Sequence, residues 1–179
     1  MRGKTVVLFL AVVLVVGCAV GGTAAWLTAK TAPIQNTFTV GNIGISLTET
    51  AINFKMVPGQ TIVKDPKVTV AAGSEDCWLF VKLEKSPNLD TYIAYTIDSG
   101  WTPLPGVSGV WYRQVPATAA NTDFNVLTGN QVTVPTTVTK EMMDSLGDGG
   151  LPAMTFTAYA VQQAGFDTAA AAWAEVTID

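Results

Sequence analysis

From residue 38 onward the chain consists of short runs in which apolar residues alternate with polar or small ones. The run Val40–Leu47 alternates with period two, which is typical of a half-buried strand. Turn-forming pairs such as Pro58-Gly59 and Pro105-Gly106 separate the runs. Many short strands at this spacing favour a jelly-roll-like antiparallel β-sandwich over a parallel α/β sheet. Further strands are predicted at Lys67–Ala71, Cys77–Glu84, Thr91–Ile97, Gly109–Val115, Gln131–Val134 and Met154–Gln162.

One or two short helices interrupt this mostly β pattern. Thr139 is a suitable cap for a helix over Lys140–Leu146, with an acidic residue in its first turn. Asp167 is a suitable cap for a second helix over Thr168–Glu175, where four consecutive alanines have high helix propensity and Trp173 supplies an apolar anchor. The sequence therefore predicts a sandwich with two small helical insertions.

The first 25 residues have the order of an export signal: a basic start, an apolar centre and a tail of small residues. Arg2 and Lys4 supply the basic start, and the apolar run Val6–Val16 has eleven residues. A helix needs roughly 20 residues to cross a bilayer core. We therefore expect a signal helix that directs export and is then removed, with a retained membrane anchor as the alternative.

Two processing sites compete in this segment. The small residues before Trp26 suit a signal peptidase that cuts after Ala25 and leaves Trp26 as the new N-terminus. Val15–Cys18 instead resembles a lipobox, in which Cys18 would be lipidated. Cleavage after Ala25 is preferred, and lipidation of Cys18 is the alternative. The predicted organisation is a signal peptide over 1–25, an extended leader over 26–36 and a single β-sandwich domain over 37–179.

The charge balance excludes one class of partner. The chain has 10 Lys and Arg against 14 Asp and Glu, and the signal segment holds two of the basic residues. The nearest basic pair, Lys82 and Lys85, has Glu84 between its members. Phosphate recognition needs clustered lysine and arginine, so we expect no nucleic-acid partner. Membrane contact is expected only through the signal segment.

The chain contains no histidine. Neither an HExxH zinc site nor a Ser-His-Asp or Cys-His arrangement is therefore available. Cys77 alternates with Leu79 and Val81, which indicates a small buried strand residue rather than a nucleophile. The sequence predicts no catalytic residue, no metal ligand and no cofactor, and it argues against an enzyme.

Eight segments of the chain together form a recognisable order. They are GGTAAW at residues 21–26, Asn36–Gly41, Ile43–Leu47, Val57–Gln60, Lys64–Val70, Cys77–Leu83, Phe156–Gln162 and the Ala-rich helix with Trp173. In this order they resemble the TasA/camelysin family of secreted proteins. The resemblance implies a jelly-roll-like sandwich, export with cleavage by a SipW-type signal peptidase, and assembly into fibres of a biofilm matrix on a Gram-positive-type bacterium. Some members are described as metallopeptidases, but the ligands for that activity are not visible here.

The leader from Trp26 to Asn36 offers a route to self-association. It mixes polar and apolar residues and contains Pro33, so it is not expected to be a core strand of its own subunit. It could instead add to the sheet edge of a neighbouring copy, with Trp26 or Leu27 filling a pocket. Repeated head to tail, this pairing gives an open filament. The alternative is a frayed terminus.

Three functional classes follow from these observations. The leading hypothesis is an exported structural protein whose partner is a second copy of itself. The first alternative is a monomeric surface binding module, in which Trp101, Trp111 and Tyr112 form a stacking platform for a glycan or a surface protein. In the opposing interpretation, at least one of these rings packs into the core and no platform forms. The last alternative is a camelysin-like metalloprotease.

Overall fold

The computed structural model describes residues 41–50, 55–147 and 150–176, which all belong to one compact unit. The signal segment, Cys18, the Ala25–Trp26 junction and the leader with Leu27 lie outside these residues. The described part is mostly β, as predicted, and every strand pair in it is antiparallel. Its elements are β1 (Ile45–Thr48), β2 (Thr61–Val63), β3 (Lys67–Val70), β4 (Cys77–Lys85), α1 (Leu89–Tyr92), β5 (Thr102–Pro103), β6 (Val110–Val115), β7 (Asp123–Asn125), β8 (Gln131–Thr133), α2 (Lys140–Asp144), β9 (Met154–Gln162) and α3 (Ala169–Trp173).

The strands form three sheets. A three-stranded sheet has the order β1-β3-β7, and a four-stranded sheet has the order β5-β6-β4-β9. A separate ribbon pairs β2 with β8, in register from Thr61 opposite Thr133 to Val63 opposite Gln131. Few neighbours in these sheets are consecutive in the chain, so the sheets are built from long-range pairings.

The two larger sheets pack on each other through one apolar cluster. The three-stranded sheet contributes Val68, Val70 and Phe124, which are at most 6% exposed. The four-stranded sheet contributes Leu79 and Val81 from β4, together with neighbours on the same face. Alternate residues of a strand point to opposite faces, so these odd-numbered positions of β4 face the cluster. This layer is the interior of a sandwich.

The opposite face of the four-stranded sheet is covered by α3. Phe80 of β4 is fully buried, and its ring lies 5.2 Å from the ring of Trp173. Ala169 and Ala172 face the same cluster and are at most 5% exposed. Both faces of β4 are thus buried from Cys77 to Val81, which explains why these five residues are all apolar rather than alternating.

A third cluster joins the β2–β8 ribbon to α1 and α2. Leu89, Tyr92 and Ile93 contact Val132 from β8 in this cluster. The phenol of Tyr92 donates a hydrogen bond of 3.2 Å to the carbonyl of Met142 on α2. The ribbon and these two helices therefore have their own small core.

Local structure differs from the sequence predictions in one segment. Thr91–Ile97 is predicted as a strand, but α1 ends at Tyr92, and only isolated bridges at Ala94 and Ile97 follow. The prediction is wrong because Leu89, Tyr92 and Ile93 are all buried, and their spacing is that of a helix face. The described residues hence contain three short α-helices rather than one or two.

The two predicted helices are present with shorter bounds. The hydroxyl of Thr139 accepts a hydrogen bond of 3.3 Å from the backbone N–H of Met142, so it caps α2 as predicted. In α3 the cap is Thr168 and not Asp167, because the Thr168 hydroxyl accepts from the backbone N–H of Ala171. Both of these helices were therefore predicted from the sequence, and only the cap of α3 lies one residue later than predicted.

Candidate functional site

The longest sheet edge in the described part of the chain belongs to β9. This strand has nine residues and pairs with β4 through nine consecutive residue pairs, from Cys77 opposite Gln162 to Lys85 opposite Met154. The register has no bulge. On its other side, no strand among residues 41–50, 55–147 and 150–176 pairs with it. The backbone groups on this side are thus not used by a neighbouring strand of the described ranges.

Antiparallel pairing decides which residues of β9 face outward. The backbone N–H of Gln163 donates 2.8 Å to the carbonyl of Asp76, and that of Ser86 donates 2.9 Å to the carbonyl of Ala153. Hydrogen-bonded pairs alternate with non-bonded ones, so the odd-numbered residues of β9 bond to β4. The even-numbered residues direct N–H and C=O groups away from β4. They are Met154, Phe156, Ala158, Ala160 and Gln162.

The composition of β9 leaves this edge unprotected. Natural sheets block an edge with charges, proline, a bulge or a very short strand. The sequence Met154–Gln162 contains no charged residue and no proline. An edge of this length and composition is a template on which another strand can pair.

The far edge of the same sheet is protected. It is formed by β5, which has only two residues. The backbone N–H of Leu104 donates 2.9 Å to the carbonyl of Val110, so the neighbouring Pro103 lies at an outward-facing position. A proline there removes the donor that an added strand would need. Two devices thus block the β5 edge.

The β7 edge of the three-stranded sheet is also occupied. Trp101 donates from its indole Nε1 to the carbonyl of Asn125 at 2.8 Å, which uses an outward-facing acceptor. Asp123 adds a charge and accepts a 2.7 Å hydrogen bond from the hydroxyl of Thr69. Hydrogen bonds from Thr69 and then Lys67 hold the pKa of Asp123 below its usual value. The carboxylate consequently stays charged at neutral pH.

A cavity of about 360 Å³ lies beside the start of β9. We call it the edge slot. Its lining combines the apolar side chains of Leu47, Met154 and Phe156 with an ion pair, in which Lys64 Nζ lies 2.6 Å from Glu49 Oε1. Lys64 is only 7% exposed. The complete lining is Leu47, Thr48, Glu49, Lys64, Pro66, Met154, Thr155 and Phe156.

Small side chains continue from the edge slot along β9. Ala158 and Ala160 follow Phe156 on the face that packs toward the sandwich interior, and all three are only half-buried. Leu47 and Ile45 of β1, at the edge of the facing sheet, are half-buried in the same cluster. The sandwich core is therefore incompletely covered on the side where β1 and β9 are the edge strands.

The three aromatic residues predicted as a binding platform do not share one exposed face. Trp101 is 5% exposed, and the guanidinium carbon of Arg113 lies 5.4 Å from its ring centre. Trp111 is half-buried against the cluster between the sheets. Tyr112 points to the opposite face, where its ring packs 5.8 Å from that of Trp78. A single stacking platform of these three rings is thus not formed.

Cys77 is a buried residue of β4, as its alternation indicates. It is 0% exposed, and burial, followed by the nearby charge of Asp76, raises the pKa of its thiol. A raised pKa keeps the thiol protonated and unreactive at neutral pH. Over the described ranges, no three histidine, cysteine, aspartate or glutamate residues are grouped so that they could hold a metal ion. Within the same ranges, no helix is both long enough and apolar enough to span a bilayer.

Comparison with models of known protein families, with curated proteins and with solved structures finds no match to this chain. The site is therefore defined by its geometry: a mostly β, antiparallel body in which, among the described strands, β9 presents a long edge that no other strand pairs with. The strand itself was predicted from the sequence. Its position at an edge could not be predicted, because strand order depends on pairings between distant segments.

Proposed function

We propose that this chain is an exported structural protein that self-associates through the β9 edge into fibres of an extracellular matrix or cell surface. The observation that carries the proposal is the contrast between edges. The β5 and β7 edges are short and blocked and the β1 edge has only four residues, whereas β9 offers outward N–H and C=O groups along nine residues. Strand addition to such an edge is a common mode of protein recognition.

The energetics favour a strand as the occupant of this edge. Each net backbone hydrogen bond contributes about 0.5–1.5 kcal/mol, and a strand along β9 would form several of them. Side chains of the added strand that point inward would also bury the half-exposed Leu47, Phe156 and Ala158. Burial of apolar surface contributes roughly 25 cal/mol per Å². Backbone hydrogen bonding and burial of apolar surface therefore both favour the addition of a strand to β9.

The leader over residues 26–36 of a neighbouring copy is the proposed added strand. Eleven extended residues span roughly 36 Å at about 3.3 Å per residue, and the nine residues of β9 span roughly 30 Å. The leader is therefore long enough to follow the whole edge. Trp26 or Leu27 would then fill the edge slot. A strand added between β1 and β9 would complete a jelly-roll-like sandwich, and repetition would produce an open filament.

The segments that resemble the TasA/camelysin family support the same proposal. They place a SipW-type signal peptidase as the partner that cuts between Ala25 and Trp26 during export. Cleavage would release the leader that the neighbouring copy accepts. The mature protein would then act in the matrix or on the surface of a Gram-positive-type bacterium, without catalysis. These assignments of family, processing and location belong to the proposal.

The substitution Ala158→Pro tests the β9 edge directly. The N–H of Ala158 points away from β4, so a proline there removes only an outward donor and introduces the device that Pro103 provides on β5. We expect mature protein that starts at Trp26 to form filaments and the Ala158→Pro variant to lose at least tenfold in filament yield. Light scattering over a concentration series and negative-stain microscopy measure the yield.

The matched control is Asn125→Pro, which places proline at an outward-facing position of the short β7 edge. This variant should keep the wild-type filament yield. Urea denaturation of both variants establishes that each remains folded. Filaments formed equally by wild type and by a folded Ala158→Pro variant would refute assembly through β9.

A further inference from the structure

A second concave surface, which shares no residue with the edge slot, lies between the end of β4, α1 and the segment that follows α1. Its volume is about 580 Å³, within the range of roughly 300–1,000 Å³ that is usual for small-molecule sites. We call this surface the aromatic cleft. The residues that define it are Lys85, Asp90, Tyr95, Thr96, Ile97 and Trp111.

Two aromatic rings line the aromatic cleft from different parts of the fold. Trp111 is on β6 and is half-buried against the cluster between the sheets. Tyr95 follows α1 and is half-buried against the cluster of the β2–β8 ribbon. Each ring therefore packs partly against a core cluster and also lines the cleft. Rings fixed in this way lose little conformational entropy when a ligand stacks on them.

The polar groups of the aromatic cleft form a neutral set. Lys85 Nζ donates a hydrogen bond to Asp90 Oδ2 and lies 3.4 Å from the phenol oxygen of Tyr95. Hydrogen bonds to Asp90 and then Tyr95 raise the pKa of Lys85, so its ammonium stays charged at neutral pH. Among the described residues that line the cleft, Lys85 and Asp90 are the only charged ones, and their charges cancel. A charged ligand would find its counter-charge already paired.

These groups match the chemistry of a sugar. The hydroxyl groups of a pyranose both donate and accept hydrogen bonds, and the aromatic cleft offers an ammonium donor, a carboxylate acceptor and the hydroxyls of Tyr95 and Thr96. The C–H faces of the pyranose ring are apolar and suit the flat faces of Tyr95 and Trp111. Lys85, Asp90 and Thr96 are exposed, so a chain can enter and leave the cleft along its rim.

We propose that the aromatic cleft is a binding site for a neutral glycan chain, with Tyr95 and Trp111 as the stacking residues and the Lys85–Asp90 pair as the polar clamp. This site does not depend on self-association through β9. A protein with both features would connect its own copies to extracellular polysaccharide. The aromatic platform predicted from the sequence includes Trp111 and does not include Tyr95.

The test uses the full mature chain and two neutral pentasaccharides, one of β-1,4-linked glucose and one of β-1,4-linked N-acetylglucosamine. Isothermal titration calorimetry and saturation-transfer NMR measure binding. We expect at least one of the two to bind, with a loss of affinity of at least tenfold in Tyr95→Ala and of a few-fold in Asp90→Asn. Tyr95→Phe keeps the ring and should lose less affinity than Tyr95→Ala.

The matched control is Asp144→Asn, which breaks the exposed ion pair between Lys140 and Asp144 outside the cleft and should leave affinity unchanged. A proline-rich peptide represents the alternative class of ligand, because aromatic surfaces also bind such peptides. Absence of binding by both pentasaccharides at millimolar concentration would overturn the proposal. So would binding of the peptide alone, or saccharide binding that Tyr95→Ala and Asp90→Asn leave unchanged.

Discussion

At the residue scale, single positions decide what the backbone of this chain can do. Pro103 and Ala158 both lie at outward-facing positions of edge strands in the same sheet. The first lacks an N–H group and blocks its edge, and the second leaves its edge available for pairing. Pro103 therefore adds to the short length of β5 in closing that edge, whereas neither device is present on β9.

Gly109 illustrates a stricter requirement at the start of β6. Its φ is +74°, and a Cβ atom there would lie 2.8 Å from the carbonyl oxygen of Leu83. We expect Gly109→Ala to lower the free energy of unfolding by about 2–3 kcal/mol, because the positive φ and the backbone clash act together. Urea denaturation monitored by tryptophan fluorescence measures the change.

The matched control for that substitution is Gly106→Ala. Gly106 has a similar φ of +78°, but nothing lies within 4 Å of the position of its Cβ. Only the conformational cost remains there, so the loss should be about 1 kcal/mol. Equal losses in the two variants would show that the contact with Leu83 has no energetic consequence.

At the element scale, side-chain hydrogen bonds connect two neighbouring strands of the three-stranded sheet in a pH-dependent way. Asp123 of β7 accepts hydrogen bonds from Thr69 and Lys67 of β3, at 2.7 and 3.3 Å. These contacts hold the pKa of Asp123 below 3.8 in the folded protein. The stabilisation from Asp123 is therefore fully present above about pH 3.8 and is lost as the pH falls through the lower folded value.

We predict that Asp123→Asn is less stable than wild type at pH 6 and that this difference shrinks as the pH falls below about 3.8. Urea denaturation at a series of pH values gives the difference. Thr69→Val removes the largest cause of the lowered pKa and should reproduce part of the same pH dependence. A difference that stays constant from pH 6 to pH 2 would contradict this assignment.

The elements also show what could and could not be read from the sequence. The strands β3, β4, β6 and β9 have apolar patterns long enough to be recognised, and each was predicted within a few residues. The three residues of β8 were predicted as part of the run Gln131–Val134. The strands β2, β5 and β7 also have only two or three residues each, and they were not predicted. The spacing of Leu89, Tyr92 and Ile93 was a helical signal that could have identified α1.

The candidate sites were less predictable than the elements for a physical reason. A strand lies at an edge when no other strand pairs with one of its sides. The position of β9 depends on its pairing with β4, whose residues lie some eighty positions earlier in the chain. The aromatic cleft likewise joins Tyr95 to Trp111 through tertiary packing. The sequence indicated that Trp111 is aromatic and near a strand, and it could not indicate which ring would face it across a cleft.

At the scale of the whole molecule, the order of processing controls assembly. If the leader of one copy pairs with β9 of the next, its N-terminus must be free to reach that edge. We predict that a folded extension fused before Trp26 lowers filament yield at least tenfold relative to protein that starts at Trp26. Negative-stain microscopy and sedimentation compare the two proteins at equal concentration.

Removal of the extension by a specific protease should restore assembly of the same sample, which serves as the internal control. Equal filament yields from the extended and the processed protein would exclude strand donation by the leader. In that case a loss of filaments in Ala158→Pro would instead assign the edge to direct pairing between β9 strands of two copies.

The packing of α3 on the four-stranded sheet affects how a polymer of this protein would grow. Among the described residues, α3 and the three-stranded sheet cover the apolar parts of the two faces of the four-stranded sheet, and the outer face of the three-stranded sheet carries the exposed polar residues Ser46, Thr48 and Asn125. Amyloid thickens by dry interdigitation of apolar sheet faces. A polymer of this protein would hence lengthen without laminating, and its threads should stay one subunit wide and dissolve when the joining strands are displaced.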